Sequence, residues 1–95
     1  VKLDDGTLDE VLRALAHPDR RRFWKACLDQ ERSAGDLAAL SDLALASVSE
    51  HLKVLRKTGL LTLEKRGRFW FYRADRPTLD AVVESLRLLE GDDGT

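Results

Sequence analysis

A chain of 95 residues, 43% hydrophobic and 35% charged, has the composition of a globular domain rather than a disordered segment, and its length leaves room for one domain, 1–95. No apolar run approaches the roughly 18 residues that cross a bilayer, and the start Val1-Lys2-Leu3-Asp4-Asp5 lacks the basic-then-apolar build of a signal peptide. The single cysteine, Cys27, can form neither an internal disulfide nor a cysteine metal cage, so the expected compartment is the reducing cytoplasm, with no membrane partner.

Net charge is only −1, but it is segregated along the chain. Ser47 to Arg76 carries eight basic residues against three acidic, a net +5, whereas Pro77 to Thr95 carries −4, Val1 to Ala16 −2 and His17 to Ala46 zero. That distribution suits a middle segment facing a polyanion and acidic ends turned elsewhere.

Taken in chain order, Thr7 or Asp9 is placed to cap a first helix, about 8–17, with Leu8, Val11, Leu12 and Leu15 on one face. His17-Pro18 interrupts it, because the residue before proline avoids helical geometry, and proline then fits the first turn of a second helix running to about Gln30. Phe23, Ala26 and Cys27 form its apolar face. Ser33 caps a short third helix, Ala34 to about Leu40, and a three-residue turn, Ser41-Asp42-Leu43, leads to a fourth from about Ala44 to Lys57, stopped by Gly59. Two strands follow. Leu61 and Leu63 alternate with Thr62 and Glu64, Phe69-Trp70-Phe71-Tyr72 is dense in strand formers, and Lys65-Arg66-Gly67-Arg68 is a glycine-centred turn between them. Pro77 opens a last helix, about 77–90, with an apolar stripe of Leu79, Val82, Val83, Leu86 and Leu89, and the tail 91–95 is expected to fray.

This order predicts a mainly α fold, a winged helix-turn-helix of about five helices with a two-stranded hairpin wing. In such a fold the second helix of the pair enters the major groove. In the fourth helix, Val48, Leu52 and Leu55 face the core. Ser47, Ser49 and Glu50 are then placed for base edges, with Glu50 able to accept from a cytosine amino group. His51, Lys53, Arg56 and Lys57, with Lys65, Arg66 and Arg68 of the wing, are placed at or near phosphates, the wing tip lying along them or entering a minor groove. Leu8, Val11, Leu12, Leu79, Val82, Val83 and Leu86 exceed what so small a monomer needs to bury, which predicts a dimer interface on the terminal helices.

Several stretches resemble the ArsR/SmtB family of bacterial winged-helix repressors. They are Ala14-Leu15-Ala16-His17-Pro18-Asp19-Arg20-Arg21-Arg22, Ser49-Glu50-His51-Leu52-Lys53-Val54-Leu55-Arg56, Gly59-Leu60-Leu61, Gly67-Arg68 and Tyr72. The resemblance spans about Leu8 to Leu89 and lies in the order and spacing of the pieces. It implies a homodimer formed by the first and last helices, a palindromic double-stranded operator, and release by an inducer, which here is unknown or lacking. The departures matter equally. Family members that sense thiophilic metals carry a Glu-Leu-Cys-Val-Cys-Asp-Leu run at the third helix. Here Glu31-Arg32-Ser33-Ala34-Gly35-Asp36-Leu37 offers no thiolate. Members with a zinc site on the last helix use Asp and His ligands, and this helix has no histidine. Asp80 and Glu84 read as a solvated acidic face. Ala44 replaces the usual capping Ser or Thr, and Glu50 stands where an arginine or other polar residue is frequent. No metal or cofactor is expected.

The remaining residues read more plainly. Cys27 falls at a core position and reads as a packing cysteine ahead of a redox sensor. His51 reads either as a phosphate contact or as a packed, satisfied ring. His17 reads as part of the interhelix bend, and Arg20, Arg21 and Arg22 as partners for acids such as Asp19 ahead of contacts to the DNA backbone. Trp24 and Trp70 read as core or dimer-contact aromatics ahead of a ligand pocket. Two histidines, one cysteine and no glycine-rich phosphate loop leave no catalytic constellation. The rival to a DNA-binding regulator is a winged helix used as a protein–protein interaction module, against which the +5 segment argues. A third reading adds an unidentified effector to DNA binding.

Overall fold

The computed structural model describes residues 3–91, so Asp92 to Thr95 of the expected frayed tail lie outside it. The elements are α1 (Asp5–Leu15), α2 (Pro18–Ala26), β1 (Arg32–Ser33), α3 (Ala34–Ala38), α4 (Leu45–Lys57), β2 (Leu61–Arg66), β3 (Phe69–Ala74) and α5 (Arg76–Arg87), the last followed by a 3₁₀ turn, Leu88–Glu90.

Helix ends follow local chemistry, and some differ from expectation. Asp4, not Thr7 or Asp9, caps α1: its carboxylate accepts from the Thr7 amide at 2.8 Å and the Thr7 hydroxyl at 3.1 Å, and that amide holds the carboxyl below its usual range. Thr7 is therefore the donor to a cap placed three residues earlier. His17 caps α2, its Nδ1 accepting from the Asp19 amide at 3.2 Å, with Pro18 in the first turn. α2 ends at Ala26 instead of Gln30. The reason is tertiary: the Cys27 carbonyl, which a longer helix would use, accepts from the Ala74 amide at the end of β3 at 3.0 Å. Ser33 and Asp36 form a reciprocal capping box on α3, each bond 3.1 Å. Asp75 caps α5, accepting from the Thr78 amide at 3.1 Å and its hydroxyl at 2.6 Å.

The sheet is three-stranded and antiparallel in the order β1-β3-β2. β1 is an addition to the expected hairpin. Two residues, Arg32 and Ser33, pair with Tyr72 and Phe71, too short a stretch to show any alternation. Between β2 and β3 the register runs from Leu61 opposite Ala74 to Arg66 opposite Phe69, leaving Gly67 and Arg68 as a two-residue turn. Gly67 has φ +64°, at the first turn position, where L side chains are strained. Gly59, φ +83°, ends α4 in the same left-handed region, its amide reaching the Arg56 carbonyl at 3.1 Å.

The core joins every layer. Phe23 of α2, Leu37 of α3, Val48, Leu52 and Leu55 of α4, and Leu60, Leu61 and Tyr72 around the hairpin are buried together with Val11 and Val82 from the terminal helices. Each large apolar side chain so buried contributes about 1.5–3 kcal/mol. Trp24 lies half-buried at the margin, its indole N–H donating to the Leu60 carbonyl at 2.9 Å. Trp70 is not in the core: it is 44% exposed on the wing. Cys27 is fully buried, and burial pushes its thiol up to about 11. Among the described residues, no helix is long and apolar enough to cross a membrane.

The apolar stripe of the terminal helices divides. Leu8, Val11 and Val82 belong to the core of the protomer itself, so they need no partner to bury them. This narrows the sequence expectation, which had set all seven stripe residues toward a second chain. Leu12, Val83, Leu86 and Leu89 remain exposed, and Leu79 is half-buried.

Candidate nucleic-acid interface

α3, the connection through Ala44, and α4 form the helix-turn-helix pair. Leu37 anchors the first helix, and Val48, Leu52 and Leu55 fix the second against the body. With that stripe buried, the 3.6-residue period puts Ser47, Ser49, Glu50, Lys53, Arg56 and Lys57 in solvent, and all six are exposed. Among the described residues none of Lys53, Arg56, Lys57 or Arg68 is held in an ion pair. Their charges are therefore available to an anionic partner. α4 and the wing together enclose an open groove of about 670 Å³, lined by Ser49, Glu50, Lys53 and Arg56 on one side and Arg68 and Trp70 on the other.

The wing's arginines are not equivalent. Pairing register puts Lys65 and Trp70 on the hairpin face that carries Leu61, Leu63 and Tyr72, and Arg66, Phe69 and Phe71 on the opposite face. The Lys65 ammonium lies 4.4 Å from the Trp70 ring centre. The Arg66 guanidinium lies 4.1 Å over Phe71 and bonds the Glu31 carboxylate, which raises its already high pKa. Arg68, at the turn, carries no such partner. The sequence had treated Arg66 and Arg68 as equals; the register separates them.

His51 is half-buried and faces α2 instead of solvent. Its Nδ1 accepts from Arg20 Nε at 3.0 Å, and its ring centre lies 4.2 Å from that of His17. Burial first, then the His17 ring and the Arg20 guanidinium, lowers its pKa, so the ring is neutral at pH 7. Of the two sequence readings of His51, packing with a satisfied ring is the one the geometry matches. His17, Asp19 and His51 bring one potential metal-ligand atom each within 4.8 Å of one another. Both imidazole Nδ1 atoms already accept hydrogen bonds, and the Arg20 guanidinium places a positive charge at the spot. The cluster is thus chemically a polar clasp between α2 and α4. It is also where two of the stretches noted in the sequence meet. Arg22 pairs with Asp19 at 3.3 Å, as expected, while Arg21 instead reaches the Leu15 carbonyl at 2.6 Å.

Two features were missed at the level of sequence. One is the Arg20–His51 bond, whose partners lie 31 positions apart. The other is the exposure of Leu45, 64%, at the start of α4. No local pattern signalled the second: Leu45, Val48, Leu52 and Leu55 share one face at helical spacing, so the period alone would bury Leu45.

Residues 15–64 match the family described as helix-turn-helix domain. The transcriptional activator HlyU of Vibrio cholerae is 32% identical over 79 residues, covering 83% of this chain and 73% of that protein. The transcriptional repressor SdpR of Bacillus subtilis is 25% identical, covering 80% and 84%. Among solved structures, an ArsR-like transcriptional regulator from Rhodococcus sp. RHA1 superposes with a TM-score of 0.82 at 25% identity, covering 92% of this chain and 82% of that one.

Proposed function

The chain belongs to the ArsR family of helix-turn-helix transcriptional regulators, and from that premise we propose that it is a homodimeric repressor of a palindromic operator. The observation that carries this reading is the set of exposed cations on α4 and the wing that have no ion-pair partner among the described residues, inside a segment of net +5 between acidic ends. α4 lies in the major groove, where Ser47, Ser49 and Glu50 discriminate bases. Lys53, Arg56, Lys57, Lys65 and Arg68 supply phosphate affinity. Arg66 contributes less, since contact with DNA competes with Glu31.

Leu12, Val83, Leu86 and Leu89 form the dimer face on the terminal helices, with Leu79 at its edge. Two protomers joined there present their α4 helices to half-sites about one helical turn, roughly 10 base pairs, apart. The relative SdpR is named a transcriptional repressor, which supports repression, and a dimer spread over both half-sites would block the DNA to polymerase. The chain performs regulation without catalysis, and its switch is not a cysteine–metal one. The α3 segment has no thiolate, and the Cys27 thiol, raised by burial, is un-ionised at neutral pH. The protein acts in the cytoplasm, where its DNA is.

The test is selection of bound fragments from sheared genomic DNA at two salt concentrations, followed by sequencing. The expected result is an inverted repeat whose recovery falls steeply as salt rises. Absence of any enriched sequence at either salt, with the protein folded, would overturn the reading.

A further inference from the structure

α4 begins differently from the other helices. Asp4, His17, Ser33 and Asp75 cap α1, α2, α3 and α5 through their side chains, whereas Ala44 at the start of α4 makes no side-chain cap bond. The stabilisation a Ser, Thr, Asp or Asn would give is forgone. What stands there instead is apolar: Ala44, Leu45 and Ala46 are all exposed, Leu45 at 64%. Among the described residues little covers that leucine, although the core stripe starts only three residues later at Val48. The charges nearest to it in sequence, Asp42 and Glu50, are acidic, but the same helix further along and the wing beside that helix carry Lys53, Arg56 and Arg68, which have no ion-pair partners among the described residues. With α4 taken as the helix that meets DNA, its apolar first turn needs an apolar group on the polyanion.

In the major groove one base offers such a group. The other groups of the base edges are donors, acceptors or small C–H edges, and thymine alone of the four standard bases adds a C5 methyl. Leucine can neither donate nor accept, so it gains most from that methyl. We propose that Leu45, flanked by Ala46, is a specificity-determining residue that reads a thymine methyl in each operator half-site. This rests on the assignment of α4 as the recognition helix. It divides the helix into an apolar reader in its first turn and polar readers, Ser47, Ser49 and Glu50, just behind.

The experiment uses the full chain. A site is selected from a random duplex library, then each thymine of the half-site is replaced in turn by uracil, which removes only the methyl group. Binding is read by fluorescence anisotropy for the wild type and Leu45→Ala. The expected result is one thymine per half-site at which uracil weakens wild-type binding about fourfold, the factor that burial of one methyl carries. Leu45→Ala binds the thymine and uracil sites equally and keeps the wild-type salt dependence. A wild type insensitive to uracil at every position overturns the proposal without any mutant, and so does a uracil penalty that persists in Leu45→Ala. In both of those cases an enriched site still upholds the DNA-binding reading. A library from which nothing is enriched removes both together.

Discussion

Besides Leu40, two places among the described residues leave leucines in water, and they differ in the charge of the segments that carry them. On the terminal helices, Leu12, Val83, Leu86 and Leu89 belong to segments in which Asp9, Glu10, Asp80, Glu84 and Glu90 outnumber Arg13 and Arg87. At the tip of α4, Leu45 has Asp42 and Glu50 as its nearest charges in sequence, but Lys53, Arg56 and Lys57 follow on the same helix. Apolar exposure is similar in kind, and the net charge of the segment that carries it selects the occupant. Net acidic segments repel DNA and leave a second protein surface as the partner for the first patch. A net basic helix draws a polyanion to the second. Exposed hydrophobic residues thus say that a contact is made, and the net charge of their segment says with what.

The comparison is sharpest where a leucine on the same helix is buried instead. Leu52→Ala is expected to cost about 2–5 kcal/mol in denaturant unfolding, while Leu45→Ala, at a side chain 64% exposed, stays within about 0.5 kcal/mol of wild type. Equal losses from the two would mean that Leu45 is a packing residue after all.

Breaking the other patch tests its assignment. Leu86→Asp puts a charge in the exposed stripe while leaving Val11 and Val82 in the protomer core. Sedimentation should shift from dimer to a folded monomer, and operator affinity should fall about a hundredfold as the two half-sites lose their linkage. A dimer that survives Leu86→Asp together with Val83→Asp would move the interface elsewhere.

A smaller effect separates the wing arginines. Arg68→Ala should weaken all DNA sequences alike and lower the salt slope by about 1. Arg66→Ala should change the slope less, because Glu31 already holds that guanidinium. Identical slopes for the two variants would show that the Glu31 pair opens on DNA.

The smallest expected effect is on pH dependence. His51 has a folded pKa below its ordinary 6.5, because burial and then the His17 ring and Arg20 disfavour the charged form. The unfolded chain therefore takes up the proton first as pH falls. Stability is full above 6.5 and is lost as pH drops from there toward the folded value. His51→Gln keeps an acceptor for Arg20 but cannot titrate. The drop in Tm between about pH 7 and pH 5 should accordingly be shallower in that variant. An unchanged profile would place the pH sensitivity in other groups.

Much of this was legible in the chain. The stripe Val48-Leu52-Leu55 identified the buried face of α4 and, by subtraction, its exposed one, because a 3.6-residue period admits one solution once the core residues are known. Gly67 marked the hairpin turn and Ser33 the cap of α3, each through chemistry confined to three or four residues. Charge segregation, visible only as running sums along the sequence, matched the exposed cations of α4 and the wing.

Tertiary structure alone decided the rest. β1 exists because β3 offers an edge to Arg32 and Ser33, and α2 stops at Ala26 because the Cys27 carbonyl is needed by Ala74. Val82 and Val83 are adjacent and equally apolar, yet one is 2% exposed and the other 43%, a division set by where α1 crosses α5. Arg66 and Arg68 are likewise two residues apart, and only the strand register turns one onto Glu31 and leaves the other at the tip. Sequence patterns report which side chains share a face of their own element, since that depends on backbone period alone. Which face meets another element depends on contacts between residues far apart in the chain, and no local pattern encodes them.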